Sequence, residues 1–296
     1  MPVTRSLPLG RAHEVAGGAL ALDRAGAGGP PVVVLPGAGL VGLDYLNVHT
    51  AAAEFTTSVL YDRAGTGWSD PVALPRTAAD VATELRDLLR AAGIAGPYVL
   101  AGHSLGASYA RRFAQLFPAE VAGLLLLDPG HEDLFAHLPA EAAGLNDRMK
   151  QAAAELPDLT ESQLRSAREQ YGALFAEWPP EAREPLVEHH LTTWRTVVAE
   201  TANEDAVYAE LRDGGELPDV PLIVLTAMGR NPYWTQFGSE ELIEAAQRGI
   251  RDLHASIAAG VPRGEHRVLD DATHQFLHIE RKDAVLRAIR DLIAAG

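Results

Sequence analysis

Short apolar runs alternate along this chain with segments in which apolar residues recur at helical spacing. Several of the runs are uninterrupted, which is typical of strands that are buried on both faces of a parallel sheet. This alternation predicts an α/β fold, with a mostly parallel central sheet and helices on both of its faces. The predicted strands cover residues 32–35, 58–61, 98–101, 123–127, 222–225 and 266–269, with an antiparallel edge strand at 20–23.

The helices between the strands have recognisable ends. Thr77 is predicted to cap a helix, because Asp80 follows at its third position and Val81 and Leu85 begin an apolar face. Gly93 is expected to end this helix. A second apolar stripe, at residues 285–293, predicts that the chain closes with a helix.

The alternation stops between about residues 131 and 218, where only helical stretches are found. We therefore predict a core of residues 1–130 and 219–296. Residues 131–218 (the cap segment) form a helical cap inserted after the strand that ends near Leu127. Its aromatic side chains either pack within the cap segment or face a substrate. The second hypothesis predicts a pocket lined by Phe135, Tyr171, Phe175 and Trp194 of the cap segment, together with Trp234, which follows it in the sequence.

Composition narrows the classes of partner. The formal net charge of −15 disfavours nucleic acid and anionic membranes as partners. The chain contains no cysteine, which excludes disulfides and thiolate metal sites. No apolar run approaches the roughly 18 residues of a membrane span, and residues 1–10 lack the apolar centre of a signal peptide. We expect a cytoplasmic location, and the sequence does not determine the oligomeric state.

A serine between two glycines carries the most specific chemical signal. Ser104 lies in Gly102-His103-Ser104-Leu105-Gly106, after a predicted strand and before a predicted helix. This arrangement is a nucleophile elbow, a turn so tight that side chains at the flanking positions would collide with the neighbouring backbone. The turn exposes the serine hydroxyl and points the Leu105 N–H toward an incoming carbonyl. Ser104 is therefore the predicted nucleophile.

Four blocks in this order resemble the α/β-hydrolase family, and the likeness covers nearly the whole chain. The blocks are residues 33–39, 61–69, the elbow at 101–107, and Ala272-Thr273-His274. The resemblance implies the α/β-hydrolase fold, an oxyanion loop beginning at Pro36-Gly37, and a catalytic histidine in the last block. The family's loop often begins His-Gly, so Pro36 is a departure, but it removes a donor that is not needed.

The predicted base is His274, because it lies in a polar loop between the last strand and the final helix. A serine hydroxyl needs a base within hydrogen-bonding reach, and histidine has a suitable pKa. The family's chain order of serine, acid and histidine agrees with this choice. His278, one helical turn further on, is the alternative. His103, inside the elbow, is expected to point away from the nucleophile and to be packed and hydrogen-bonded.

The predicted acid is Asp128, at the carboxyl end of the strand that precedes the cap segment. The family often places its acid after the strand at 222–225, but the first carboxylate there is Glu240, which is assigned to the next helix. Some family members carry the acid one strand earlier, where a carboxylate can orient the imidazole. Alternatively, Asp128 only stabilises the turn before Pro129-Gly130. Glu132 and Asp133 are fallback candidates.

Backbone groups complete the predicted site. The N–H groups of Ala38 and Leu105 are the expected oxyanion donors, whereas Asp62 and Arg63 are expected to hold the turn at Gly65–Gly67 in place. These residues predict a serine hydrolase that cleaves a carboxylic ester or lactone through an acyl-enzyme, without metal or organic cofactor. The substrate is expected to be a small, partly apolar molecule. The alternatives are a thioesterase or acyl transferase with the same triad, and a non-catalytic ligand receptor on the same fold.

Overall fold

The computed structural model describes residues 8–230 and 234–296, and these residues contain one eight-stranded sheet. Six neighbouring strands are parallel, and two antiparallel strands extend the sheet at one edge, in the order β1-β2-β4-β3-β5-β6-β7-β8. The strands are β1 (Arg11–Val15), β2 (Gly18–Ala25), β3 (Val32–Leu35), β4 (Ser58–Tyr61), β5 (Tyr98–His103), β6 (Val121–Leu127), β7 (Leu222–Ala227) and β8 (Gly264–Leu269). The predicted α/β class is therefore confirmed.

Twelve α-helices accompany the sheet in the described part of the chain. They are α1 (Leu46–Ala52), α2 (Ala78–Ala91), α3 (Leu105–Leu116), α4 (Leu134–His137), α5 (Ala140–Ala154), α6 (Glu161–Leu174), α7 (Pro180–Thr193), α8 (Thr196–Glu200), α9 (Glu204–Asp213), α10 (Glu240–Ala259), α11 (Leu277–Glu280) and α12 (Lys282–Ala295). Thr77 caps α2 as predicted, since its side chain accepts a hydrogen bond from the Asp80 N–H at 3.0 Å. None of the helices in these ranges is long and apolar enough to cross a lipid bilayer.

Alternate residues of the parallel strands supply the two faces of the core. In β5, Leu100 packs with side chains of α2 and α3, whereas Ala101 packs with side chains of α1 and α12 on the opposite face. Both faces are thus covered by helices, which accounts for the uninterrupted apolar runs. The predicted bounds of β3 and β4 agree with the structure, and the other parallel strands are each longer than predicted by two residues at one end.

The predicted edge strand at residues 20–23 is not at the edge. It belongs to β2, and β1 pairs with its outer side through contacts such as His13 with Leu20. The β1 sequence, Arg-Ala-His-Glu-Val, is mostly exposed and has no continuous apolar run. Hydrophobic patterning therefore could not detect this strand, because Val15 is its only apolar side chain that packs against the core cluster.

The cap segment contains α4 to α9 and no strand among its described residues, as its pattern predicted. One part of it packs beside β3: Phe175 and Trp178 join Tyr45 in a buried apolar cluster. The indole N–H of Trp178 also donates to the Leu43 carbonyl at 2.8 Å. These contacts join the cap segment to the residues that follow β3, although its role as a separate cap domain remains a prediction.

Candidate active site

The elbow is formed by a one-residue connection between β5, which ends at His103, and α3, which begins at Leu105. Ser104 has a φ of 51° and a ψ of −119°, a strained conformation that lifts its side chain out of the turn. Gly102 and Gly106 allow this geometry. A Cβ atom on Gly106 would lie 2.1 Å from the Leu35 carbonyl oxygen, and one on Gly102 would lie 2.6 Å from the Cα atom of Ala107.

Replacement of Gly106 with alanine is expected to destabilise the fold by at least about 2 kcal/mol, because the added methyl group overlaps backbone atoms that cannot rotate away. Gly172→Ala in α6 is the matched control. No atom of the described residues outside its own backbone lies within 4 Å of the added methyl group, so we expect a gain of about 0.5–1 kcal/mol. Urea denaturation of both variants measures the difference. Equal midpoints would contradict the steric explanation.

Ser104, His274 and Asp128 form one hydrogen-bonded chain at the carboxyl ends of the central strands. The Ser104 Oγ lies 3.0 Å from the His274 Nε2, and the His274 Nδ1 lies 2.5 Å from the Asp128 Oδ2. With a proton on Nδ1, the imidazole donates to the carboxylate and leaves Nε2 free to accept the serine proton. The structure thus brings together the three side chains predicted from the sequence, in the arrangement of a nucleophile, a base and an acid.

Asp128 is held from two sides. It follows β6, with a φ of 45°, and its Oδ1 accepts a hydrogen bond from the Ala227 N–H at the end of β7, at 2.9 Å. Burial alone would raise the pKa of this carboxyl. The hydrogen bond and charge of His274, with the Ala227 N–H, lower it below its ordinary value. Asp128 is therefore ionised and oriented toward His274.

The electrostatics at His274 are a balance of opposing effects. Burial disfavours the imidazolium, but the hydrogen bond from Nδ1 to Asp128 and the negative charge of Asp128 outweigh it. The pKa of His274 is consequently raised above its ordinary value of 6.5. A base whose cationic form is stabilised in place accepts a proton readily, as general base catalysis requires.

A second histidine adjoins the acid and was not predicted from the sequence. The Nε2 of His254 in α10 donates to the Pro129 carbonyl at 2.9 Å, and its Nδ1 faces the Thr226 hydroxyl at 2.8 Å. Thr226 in turn faces the Nε2 of His266 at 2.8 Å. Burial lowers the pKa of His254, so a neutral ring lies beside the Asp128 carboxylate. The only sequence signal was its position on the buried face of an amphipathic helix.

His103 is buried, as expected, and both of its ring nitrogens make hydrogen bonds close to Ser104. Its Nδ1 accepts from the Tyr45 hydroxyl at 2.6 Å, and its Nε2 donates to the backbone carbonyl of His274 at 2.7 Å. Burial, together with the neighbouring His274 and His278, lowers the pKa of His103 well below 6.5. A neutral ring with this tautomer fits both contacts, and it anchors the backbone of the residue that faces Ser104.

Two backbone N–H groups near Ser104 have no hydrogen-bond acceptor among the described residues. Within residues 8–230 and 234–296, the amides of Ala38 and Leu105 make no hydrogen bond. Leu105 is the first residue of the twelve-residue helix α3, where an N–H group has no helical acceptor. The loop of residues 36–39 (loop 36–39) passes beside the elbow, since a Cβ atom on Gly37 would lie 3.5 Å from that of Ser104. Their role as oxyanion donors remains a prediction.

A cavity of about 280 Å³ opens over Ser104, Asp128 and His274. Its walls are mainly apolar and come from the start of the cap segment, α5 and α10. Of the residues predicted to line a substrate pocket, Phe135 and Trp234 lie in its wall. Apolar lining residues also include Leu134, Leu138, Leu145, Met149 and Ile250. The polar lining includes Glu204, which accepts from the Tyr208 hydroxyl at 3.0 Å and from Lys150 at 2.8 Å.

Three of the predicted pocket residues do not line this cavity, which corrects that part of the prediction. Tyr171 and Phe175 stack beside His190 in the apolar cluster next to Tyr45. Trp194 stacks against the guanidinium of Arg195, 4.0 Å from its ring centroid. The physical reason is that α6 and α7 bury their aromatic side chains against the residues after β3, whereas α4 and α5 cover the cavity.

The rival acids and bases lie elsewhere. Glu240 is 64% exposed at the start of α10 and pairs with Arg230. Glu132 is bound by both terminal nitrogens of Arg111 at 2.7 Å. His278 is buried and stacks on Tyr45, and neither of its ring nitrogens has a partner among the described residues. In that part of the chain, no group of three or more His, Cys, Asp or Glu side chains could hold a metal ion.

The fold and this site define a class of protein, and comparison with known families agrees with it. The model of the Alpha/beta hydrolase family matches residues 32–288, so the chain belongs to that family. Two solved structures share the fold. An esterase from Thermogutta terrifontis is 21% identical, with 95% of this chain and 96% of that chain covered and a TM-score of 0.58. An enol-lactonase from Burkholderia xenovorans is 19% identical, with 96% and 99% covered and a TM-score of 0.60.

Curated relatives match shorter segments. A protein of Schizosaccharomyces pombe is 37% identical over 75 residues, which is 25% of this chain and 14% of that protein. An AB hydrolase superfamily protein of Gibberella zeae is 36% identical over 96 residues, 29% of this chain and 30% of that protein. The chain thus matches less than a third of the length of these relatives.

Proposed function

We propose that this protein is a serine hydrolase that cleaves a carboxylic ester or lactone through an acyl-enzyme on Ser104. The observation that carries the proposal is the continuous hydrogen-bonded chain from the Ser104 Oγ through His274 to the Asp128 carboxylate, at the floor of the cavity. Family membership and structural likeness to an esterase and an enol-lactonase support it.

In the first half of the reaction, the Ser104 Oγ attacks the substrate carbonyl carbon while the His274 Nε2 takes the hydroxyl proton. The imidazolium is stabilised by Asp128, which is already ionised. The carbonyl oxygen becomes an oxyanion, for which the free N–H groups of Ala38 and Leu105 are the proposed donors. Each such donor contributes about 3 kcal/mol of transition-state stabilisation. Collapse of the intermediate breaks the bond to the alcohol oxygen, which leaves with the proton from His274.

In the second half, water replaces the alcohol. His274 removes a proton from the water as it attacks the acyl carbon, and the same donors hold the second oxyanion. Collapse returns the proton to the Ser104 Oγ and releases the carboxylic acid. Every proton is carried by His274, so the scheme needs no metal or organic cofactor. For a lactone, the leaving alcohol stays attached to the acyl group, and the product is a hydroxy acid.

The cavity favours a small, neutral and partly apolar substrate. Its volume of about 280 Å³ is at the lower end of ligand pockets, and most of its wall is apolar. The carboxylates of Asp128 and Glu204 face the same space, which disfavours a substrate with a negative charge close to the carbonyl.

The test is a panel of p-nitrophenyl acetate, butyrate and octanoate with two simple lactones, and p-nitrophenyl phosphate as the anionic control. We expect multiple turnovers of the esters and at least one lactone, and no turnover of the phosphate. Because p-nitrophenolate is a good leaving group, a burst of about one equivalent per protein is expected when acylation outruns deacylation. Binding of esters without turnover would instead identify a ligand receptor and refute the proposal.

A further inference from the structure

Arg63 makes an unusual set of contacts for a buried cation. Its side chain is almost fully buried, and its Nη1 donates to the Pro36 carbonyl at 2.6 Å and its Nη2 to the Gly37 carbonyl at 3.0 Å. Both acceptors belong to loop 36–39. The same guanidinium donates to the Glu200 Oε1 from Nε at 3.0 Å and from Nη2 at 2.7 Å. Arg63 therefore joins this loop to a carboxylate of the cap segment.

Glu200 completes the arrangement from the other side. It is the last residue of α8 and is also buried, and its second oxygen accepts a hydrogen bond from the Gly39 N–H at 2.7 Å. Gly39 has a φ of +72°, and a Cβ atom there would lie 2.9 Å from the Cβ of Val197 in the same helix. The end of α8 thus rests directly on the loop, and one ion pair holds three backbone groups of it.

The geometry of the peptide group gives these contacts a consequence for the site. The Gly37 carbonyl and the Ala38 N–H are opposite ends of one planar trans peptide unit, so they point in opposite directions. The guanidinium holds the Gly37 oxygen together with the Leu40 N–H, at 3.2 Å, and so also helps to set the direction of the Ala38 N–H. The Gly39 N–H, held by Glu200, fixes the next peptide unit. The one amide of this loop left without an acceptor in the described residues is the proposed oxyanion donor.

We propose that Arg63 and Glu200 are positioning residues that orient the Ala38 N–H toward the reaction centre. The donor is then correctly aimed only while α8 of the cap segment is docked on loop 36–39. This inference rests on the proposed function for its catalytic part. It adds to the expected role of Arg63 in the Gly65–Gly67 turn, where the Arg63 carbonyl accepts from the Thr66 N–H at 3.0 Å and from the Thr66 hydroxyl at 2.9 Å. The Asp62 carboxylate does bind that region, through the Trp68 N–H at 2.9 Å, but the guanidinium of Arg63 binds the other loop.

Stability and positioning can be separated because a buried ion pair contributes little net stability. Replacement of both charges by apolar side chains of similar volume is often neutral or stabilising, whereas removal of one partner leaves an unpaired buried charge. The double variant Arg63→Met with Glu200→Met is therefore expected to fold, yet it has none of the five side-chain hydrogen bonds described above. The control is Arg86→Met with Glu120→Met. It removes an ion pair just before β6, at the amino ends of the strands, whereas Ser104 lies at their carboxyl ends.

The experiment measures two properties of the full chain: hydrogen exchange of the amides at residues 37–40, and kcat and KM for the p-nitrophenyl ester that is cleaved best. For Arg63→Met with Glu200→Met we expect faster exchange at Gly39 and a decrease in kcat of about 10²-fold, with KM changed less than about threefold. A donor that acts mainly on the transition state lowers kcat rather than raising KM. The control should retain wild-type values of both.

A folded double variant with wild-type kcat, or with wild-type exchange at Gly39, would overturn the inference. If the double variant does not fold, Glu200→Gln replaces it. Arg63 and Gly39 donate to different oxygens of Glu200, and glutamine carries an NH₂ group in place of one of them, so one of the two donors loses its acceptor. Glu200→Gln is expected to show the same loss of kcat. If the wild-type protein has no Ser104-dependent turnover, the proposed function fails. The exchange measurement then decides alone whether the ion pair holds the loop.

Discussion

Replacement of Ser104 with alanine is expected to lower kcat for ester hydrolysis by about 10⁴- to 10⁶-fold. The variant has no nucleophile to form the acyl-enzyme, and the remaining activity comes only from substrate binding and the oxyanion donors. Alanine keeps the backbone of the elbow and deletes one atom, the Oγ that lies 3.0 Å from His274. Steady-state kinetics with the best ester of the panel measures the loss, and a melting curve confirms that the variant is folded.

The matched control is Ser108→Ala, one turn further along the same helix. Its hydroxyl is buried and has no hydrogen-bond partner in the described part of the chain. The substitution therefore also deletes one serine Oγ atom, but it leaves the contacts of Ser104, His274 and Asp128 unchanged. We expect kcat within about twofold of wild type. An active Ser104→Ala protein would mean that water or another side chain attacks the substrate, and the acyl-enzyme mechanism would have to be abandoned.

Asp128→Asn is expected to lower kcat by about 10⁴-fold. Asparagine tolerates the φ of 45° at this position, so the backbone is unchanged. Its amide cannot satisfy both neighbours of the carboxylate. An NH₂ group toward His274 requires the tautomer with the proton on Nε2, which cannot accept the proton of Ser104. If the NH₂ group is turned the other way, it faces the Ala227 N–H, and neither of these two donors has an acceptor.

The same substitution changes the pH dependence in a defined direction. The pKa of His274 is raised above 6.5 because the hydrogen bond and charge of Asp128 outweigh its burial. The wild-type enzyme should therefore lose kcat/KM, as pH falls, at a higher pH than an ordinary imidazole would. In Asp128→Asn the negative charge that favours the imidazolium is lost, while the burial that disfavours it remains. The pKa of His274 therefore falls, and the acid limb of the residual activity moves to lower pH.

Glu240→Gln is the control for the acid. Glu240 follows β7, where the family often places its acid, but it is exposed and pairs with Arg230 at the protein surface. We expect kcat within about twofold of wild type and an unchanged pH profile. A larger loss of activity in Glu240→Gln than in Asp128→Asn would reverse the assignment of the acid.

Most of the sheet could be predicted because its strands are buried on both faces. Residues 32–35 and 58–61 are uninterrupted buried runs, and the structure has β3 and β4 at the predicted bounds. β1 could not be predicted, because an edge strand whose residues are mostly exposed leaves little apolar signal. Its stability comes from backbone pairing with β2, which is a property of the partner strand as much as of its own sequence.

The predicted pocket shows the limit of composition. An aromatic side chain in a helical segment tends to be buried, but the sequence does not indicate which neighbouring surface it packs against. Phe135 faces the cavity, whereas Phe175 packs on the residues after β3. The contacts of Arg63 could not be predicted for the same reason, since Arg63 and Glu200 lie 137 positions apart in the sequence.

The sequence by itself determined the alternation of strands and helices, the glycine-flanked turn at Ser104, and the three candidate side chains. The first two are local properties, set by hydrophobic periodicity and by the steric demands of one turn, whereas the choice of Asp128 and His274 also used the resemblance to the family. Only the tertiary structure decided which groups meet: His274 lies 170 residues beyond Ser104 and 146 beyond Asp128 along the chain, yet it contacts both. Parallel strands end at a common edge and so bring distant loops together, and the contacts across that edge depend on packing that no local pattern records.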